Sequence, residues 1–173
     1  SSSTGAAGAL IGAIRITADT GAIRVDDTFF SAPAGHLSLN GVGFSNTLRS
    51  TVVCATAVNR SVGALADVVI RESDDLILVD DGVALGGIYS ANGSIDIELA
   101  KIDSLLTLVS GSIHVAGVGE DIDLTADDID FKSGEDRIIG SSGLTIVSKR
   151  ADSNYRIGSG AETFGGDDLS VNG

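Results

Sequence analysis

Apolar and polar residues alternate along most of this chain in runs of four or five. Gly, Ser, Asn and Asp close each run. Ser94-Ile95-Asp96-Ile97 returns as Ser112-Ile113-His114-Val115, Asp128-Ile129-Asp130-Phe131 and Gly143-Leu144-Thr145-Ile146, with leading positions 18, 16 and 15 residues apart. A second series lies between them: Leu106-Thr107-Leu108, Ile122-Asp123-Leu124, Ile138-Ile139-Gly140 and Tyr155-Arg156-Ile157, spaced 16, 16 and 17. Period-two alternation predicts strands with one buried face. β-Branched residues and frequent turn residues argue against helix. Two interleaved strand series of nearly constant period predict an all-β fold, a parallel β-helix or β-solenoid of about 15–20 residues per coil.

Stacking successive coils at the ~4.8 Å strand spacing predicts an inward ladder Ile95–Ile113–Ile129–Leu144 and a second, Ile97–Val115–Phe131–Ile146. Between them an outward row would read Asp96–His114–Asp130–Thr145. That row sets His114 between two carboxylates, which would raise its pKa. Both series extend back through Leu76 and Ile88, and the pattern continues to Leu169.

Residues 1–65 are less regular than 66–173, and the whole is read as one solenoid segment. Gly12-Ala13-Ile14-Arg15-Ile16 is echoed nine residues on by Gly21-Ala22-Ile23-Arg24-Val25. Thr28-Phe29-Phe30, Leu37-Ser38-Leu39, Val42-Gly43-Phe44 and Thr51-Val52-Val53 are further strand candidates. Pro33 and nearby glycines mark turns. Three of the five Phe residues fall here, pointing to wider coils or a loop packed on the flank, and a short helix within 54–66 stays open. The chain begins without Met or a basic leader and stops inside a strand-and-turn pattern, as expected of a piece of something longer.

Composition sharpens the fold more than the function. The 173 residues are 43% hydrophobic but 4% aromatic, with no Met or Trp, so the core must be Val, Ile, Leu and Ala. Rows of similar-sized aliphatics suit a solenoid. The 23 glycines suit its repeated turns. A net charge of −13 argues against nucleic acid and against an anionic membrane surface. No apolar run of about 18 residues is present to cross a bilayer as a helix. Cys54, the only cysteine, cannot form an intrachain disulfide and sits in an apolar run that reads as a buried thiol.

Candidate chemistry is confined to one acidic stretch, Glu120 to Asp130. The Asp-x-Asp pairs Asp121/Asp123 and Asp128/Asp130 are spaced to share a hard cation, and calcium is the candidate ligand. Gly165-Gly166-Asp167-Asp168-Leu169 only partly matches a calcium-binding nonapeptide repeat. With Lys132, Arg137 and Arg156, the same carboxylates are the only material for cleaving an acidic polysaccharide. No nucleophile elbow, zinc signature or phosphate loop occurs, and His36 and His114 lie in unrelated contexts, so no enzyme is expected.

Ser73-Asp74-Asp75-Leu76, Gly93-Ser94-Ile95-Asp96-Ile97, Asp123-Leu124-Thr125-Ala126-Asp127-Asp128-Ile129-Asp130 and Ile139-Gly140-Ser141-Ser142-Gly143-Leu144-Thr145-Ile146 resemble the repetitive bodies of large bacterial surface proteins of the filamentous-haemagglutinin-like, autotransporter-adhesin type. The resemblance covers residues 60–173 well and the first 60 loosely. It implies a right-handed β-helix, export to the cell surface, and a role as fibre, adhesin or coat. It transfers no site residues. The expected partners are copies of itself, neighbouring coils or subunits of a fibre or surface layer, and surface glycans. The alternatives are a calcium-held surface-layer or sheath subunit, and a polysaccharide-degrading enzyme or phage tail-spike domain.

Overall fold

The computed structural model describes residues 13–25, 29–80, 87–131, 138–140 and 142–150, and the backbone of 155–158 and 169–172. Every described regular element is a strand. They are β1 (Ala13–Thr17), β2 (Phe29–Gly41), β3 (Leu48–Asn59), β4 (Val68–Glu72), β5 (Leu76–Leu78), β6 (Gly87–Ser90), β7 (Ile95–Leu99) and β8 (Leu105–Leu108). There follow β9 (Ser112–Val115), β10 (Ile122–Thr125), β11 (Asp128–Phe131), β12 (Ile138–Ile139), β13 (Leu144–Val147), β14 (Tyr155–Gly158) and β15 (Leu169–Asn172). All ladders are parallel, and the strands stack as a β-solenoid.

Each turn of the solenoid has three faces. The first stacks the opening residues of β2 and β3, then β4, β7, β10 and β13. The second stacks the middles of β2 and β3, then β5, β8, β11, β15 and β14. The third stacks the ends of β2 and β3, then β6, β9 and β12. Because β2 and β3 run unbroken through all three faces, they join the faces into one continuous sheet.

Alternation does what the sequence reading requires of it: Ile95, Ile97, Ile113, Val115, Ile122, Leu124 and Ile129 are all at most 2% exposed. Burying such a side chain contributes about 1.5–3 kcal/mol. The partners differ from those expected. The inward ladders are Val68–Ile95–Ile122–Leu144 and Ile70–Ile97–Leu124–Ile146 on the first face, Leu76–Leu106–Ile129 on the second, and Ile88–Ile113–Ile138 on the third. Ile95, Ile113 and Ile129 therefore occupy three different faces, and the expected ladder through them does not form. The same holds for Ile97, Val115 and Phe131.

The coil is also larger. Ile95 pairs with residues 27 positions away on both sides, Leu76 with Leu106 at 30, and Ile88 with Ile113 at 25. Only the turn from β2 to β3 falls in the expected range, with Phe29 20 residues from Arg49 and Leu37 18 from Ala55. That turn is narrower than the turns built from β4 to β13, in the region expected to be widest. No helix forms within 54–66: β3 continues to Asn59 and a turn follows. Residues 132–137 and 159–168, with Lys132, Arg137 and the Gly165–Asp168 stretch, lie outside the described residues, and of Arg156 only the backbone is described.

Corners are made where side chains or glycine remove the need for a continuing ladder. Gly87 has φ +100, and a Cβ there would collide with the Ser112 backbone of the next coil, so this position requires glycine on both counts. β2 meets β3 through a bulge, where Ala32 pairs with Val52 but His36 with Cys54, leaving Pro33-Ala34-Gly35 against Val53 alone. Proline lacks the ladder N–H and is tolerated at such a point.

Candidate functional site

The acidic stretch divides across a corner. Asp121 and Asp123 belong to the first face, and Asp128 and Asp130 to the second, with Ala126 and Asp127 buried between them. The two pairs thus face different sides of the solenoid. Asp123 stands in register with Asp96 and Thr145, and Asp130 with Thr107. Asp121 is bonded to the following coil: its Oδ1 accepts the Gly143 amide at 2.8 Å. That amide, together with the Ser142 hydroxyl, holds the Asp121 carboxyl below the usual carboxylate range. Among the described residues, no group of three or more His, Cys, Asp or Glu side chains is arranged to hold a metal ion.

His114 is not between carboxylates. On the third face it stands in register with Tyr89 below and Ile139 above. Its ring meets Tyr89 edge-on at 5.3 Å and 83°. Asp96 and Asp130, the neighbours expected from the sequence, are on the other two faces. Cys54 is partly exposed on the second face rather than fully buried, and desolvation still pushes its thiol pKa up.

The carboxylates with the most partners sit at the corner between the first and second faces. Glu72 is 0% exposed. Its Oε2 accepts the Ser50 hydroxyl at 2.6 Å, both oxygens face the Val52 amide at 3.3 Å, and Oε1 accepts the amides of Ser73 at 2.9 Å and Asp74 at 3.3 Å. One coil later the corresponding corner has no such group, and two coils later Asp127 takes the role. Its Oδ2 accepts the Asp103 amide of the coil before at 2.6 Å. Its Oδ1 accepts the Ser148 hydroxyl at 2.6 Å and the Lys149 amide at 3.0 Å of the coil after. Burial alone would push Asp127 up, but the Ser148 hydroxyl and the amides of Asp103, Lys149 and Arg150 outweigh it and hold the carboxyl low.

The corner between the third and first faces is tied by amide and hydroxyl groups. The Asn59 side chain is fully buried and donates to the carbonyls of Leu65 at 2.7 Å and Ala66 at 2.9 Å. Ser90 donates to Ala66 O at 2.8 Å and accepts the Gly93 amide at 2.9 Å. Asp67 Oδ1 accepts the Ser94 amide at 3.0 Å, as Asp121 does for Gly143 a further two coils on. These residues were open to detection through parity. In Val68-Val69-Ile70-Arg71-Glu72 the inward positions are 68, 70 and 72, so Glu72 stands where an aliphatic belongs. Asn59 and Ser90 break the pattern in the same way.

Outside the corners, charge is paired in the open. Arg71 bonds both Asp96 oxygens, at 2.9 and 2.5 Å, and reaches Glu98 at 3.0 Å. A shallow groove of about 400 Å³ crosses the second face over Pro33, Val53, Ile77 and Leu105. At its rim Lys101 lies 2.8 Å from Asp74 and 3.0 Å from Asp75. The Asp74 and Asp75 carboxylates hold the Lys101 ammonium pKa up, and Lys101 holds Asp74 down. Thr51 and Thr107 line the groove beside these side chains.

No family model, no curated protein and no solved structure matches the chain.

Proposed function

We propose that this chain is a non-catalytic structural segment, a rigid solenoid piece of a large bacterial cell-surface or extracellular fibre protein whose work is spacing, adhesion or assembly. The observation that carries this reading is where the buried polar groups point. Glu72, Asp127, Asn59 and Ser90 each bond the backbone of a neighbouring coil or turn rather than converge on a shared cavity. Groups satisfied in this way hold backbone geometry and are not free to exchange protons with a substrate. In-register aliphatic rows supply the remaining cohesion, and each coil needs its neighbours to bury them. The resemblance of residues 60–173 to filamentous-haemagglutinin-like surface repeats supports the extracellular placement.

Antibodies raised against the chain test the placement. They should label intact cells of the organism that makes it, and signal confined to lysed cells would sink the surface reading. A parallel assay for new reducing ends on acidic polysaccharides should find no product. Turnover that disappears with Asp128→Asn or Asp130→Asn would replace the structural reading with an enzymatic one.

A further inference from the structure

The groove on the second face holds hydrogen-bonding groups that no neighbouring coil uses. It crosses three coils, over Val53 of β3, Ile77 of β5, and Leu105 and Thr107 of β8, with Ile77 in register with Thr107. Its volume of about 400 Å³ falls within the range of about 300–1,000 Å³ typical of small-molecule sites. Val53, Ile77 and Leu105 leave carbon surface open along the floor. Thr107 differs from them. It is 7% exposed, and among the described residues its hydroxyl has no hydrogen-bond partner. A buried hydroxyl is ordinarily bonded, so this one stands ready for a group that enters the groove. The rim has spare capacity too. Lys101 donates to Asp74 and Asp75, and its ammonium has a third N–H to give. Asp74 accepts Lys101 and the Asp75 amide through Oδ1 alone, which leaves Oδ2 open.

We propose that the groove binds a neutral hexose unit of a glycan, its C–H face on Val53 and Ile77 and its hydroxyls on Thr107, Lys101 and Asp74. Charge and polarity together select this occupant. The charged residues of the groove are two carboxylates and one ammonium, a sum of −1 on a chain of −13, so an acidic sugar or a phosphate is repelled. A cationic ligand meets carboxylates that already hold Lys101 and would have to displace it. A purely aliphatic ligand would cover the Thr107 hydroxyl and leave it unpaired, an unfavourable burial. A sugar carries an apolar C–H face and a rim of hydroxyls that both donate and accept. That combination fits an aliphatic floor beside a free ammonium N–H, a free carboxylate oxygen and an unbonded hydroxyl. The inference deepens the adhesive reading above: it rests on that reading and names the class of ligand.

NMR titration of the full 173-residue chain tests it, with lactose, cellobiose and mannobiose as neutral probes. Digalacturonate, hexylamine and trialanine serve as acidic, cationic and peptide comparisons. At least one neutral probe should shift the amide signals of Ile77, Thr107 and Lys101 saturably at millimolar concentration, and the comparisons should not. Thr107→Val keeps the side-chain shape and removes an unbonded hydroxyl, so folding should be unchanged. Its affinity for that probe should fall about fivefold or more. Val53→Lys, at a position 38% exposed, sets a long charged side chain on the floor and should abolish the shifts. The proposal is overturned if no neutral probe shifts these signals, or if the shifts centre on another face. Equal binding by Thr107→Val would overturn it too, as would a comparison compound that takes the groove in preference. A chain that labels the cell surface yet binds no probe loses only the groove ligand. A chain absent from the surface that still binds the probe keeps the groove and loses the placement. A probe that is bound and then cleaved keeps the groove and sinks the non-catalytic reading.

Discussion

The turn from β2 to β3 and the turns built from β4 to β12 close the same three-sided coil by different means. β2 and β3 are 13 and 12 residues long and bend through every corner as continuous strand, helped by one bulge at Pro33-Ala34-Gly35. From β4 onward, strands of two to five residues stop at each corner. Side chains then satisfy the backbone that the ladder has released, and glycine permits the turn or close approach where one is needed. Inserted corners are why the later coils need 25 to 30 residues at most positions, where the bent one needs 18 to 20. The number of residues per turn is thus set by corner chemistry, while the strands that fill the faces are interchangeable. Glu72 stands at the seam between the two modes, reaching back to Ser50 and Val52 of β3 and forward to Ser73 and Asp74.

Three experiments would break or sharpen this contrast. The largest effect is expected from Ile95→Asp, which places an unpartnered charge in a fully buried ladder. Urea unfolding should show a loss of at least about 4 kcal/mol. Hydrogen exchange should rise across β4, β7 and β10 while β2 and β3 stay protected. Equal loss of protection in β2 and β3 would show the two regions to be one cooperative unit and erase the distinction. Next is Glu72→Ala, which removes the carboxylate from the Val52 amide and the buried Ser50 hydroxyl and should cost about 3 kcal/mol in the same assay. A loss under about 1 kcal/mol would mean that the bent strands do not depend on the first inserted corner.

The third and smallest effect concerns acid. Asp127 has a depressed pKa in the folded chain, below the unfolded value of about 3.9. Its clamp therefore contributes stability fully above the unfolded value and loses it as pH falls through the folded value. Asp127→Asn should cost about 1–2 kcal/mol at neutral pH. The gap between wild type and variant should close in melts taken below about pH 4. A gap independent of pH would show that the carboxylate charge is not what holds the corner.

How much of this was legible in the sequence turns on what alternation encodes. Parity identified which side of each strand is buried, and Ile95, Ile97, Ile113, Val115 and Ile129 all face inward as read. Parity says nothing about which strand lies on top. The two series inferred from spacing are in fact every second strand: β5, β7, β9, β11 and β13 make one, and β6, β8, β10, β12 and β14 the other. The solenoid stacks every third strand, so Ile95 meets Ile122 and not Ile113. Nothing in Ser-Ile-Asp-Ile distinguishes one face from another, since each face asks only for an apolar row. Corners do distinguish them, through buried polar residues at apolar parity, and Glu72 and Asn59 show that this signal was present. The acidic pairs were misplaced relative to one another for the same reason. Asp121/Asp123 and Asp128/Asp130 look contiguous until the corner at Asp127 turns them apart.

The 27-residue step from Ile95 to Ile122 also has a mechanical meaning. A stacked coil occupies about 4.8 Å of height along the axis, yet the chain within it would extend to roughly 90 Å if drawn out. Pulled along its axis, such a stack would yield one coil at a time, each release lengthening the molecule nearly twentyfold over the height given up. Asp127, bonded at once to the coil before and the coil after, would be the latch that sets the force at which its section lets go.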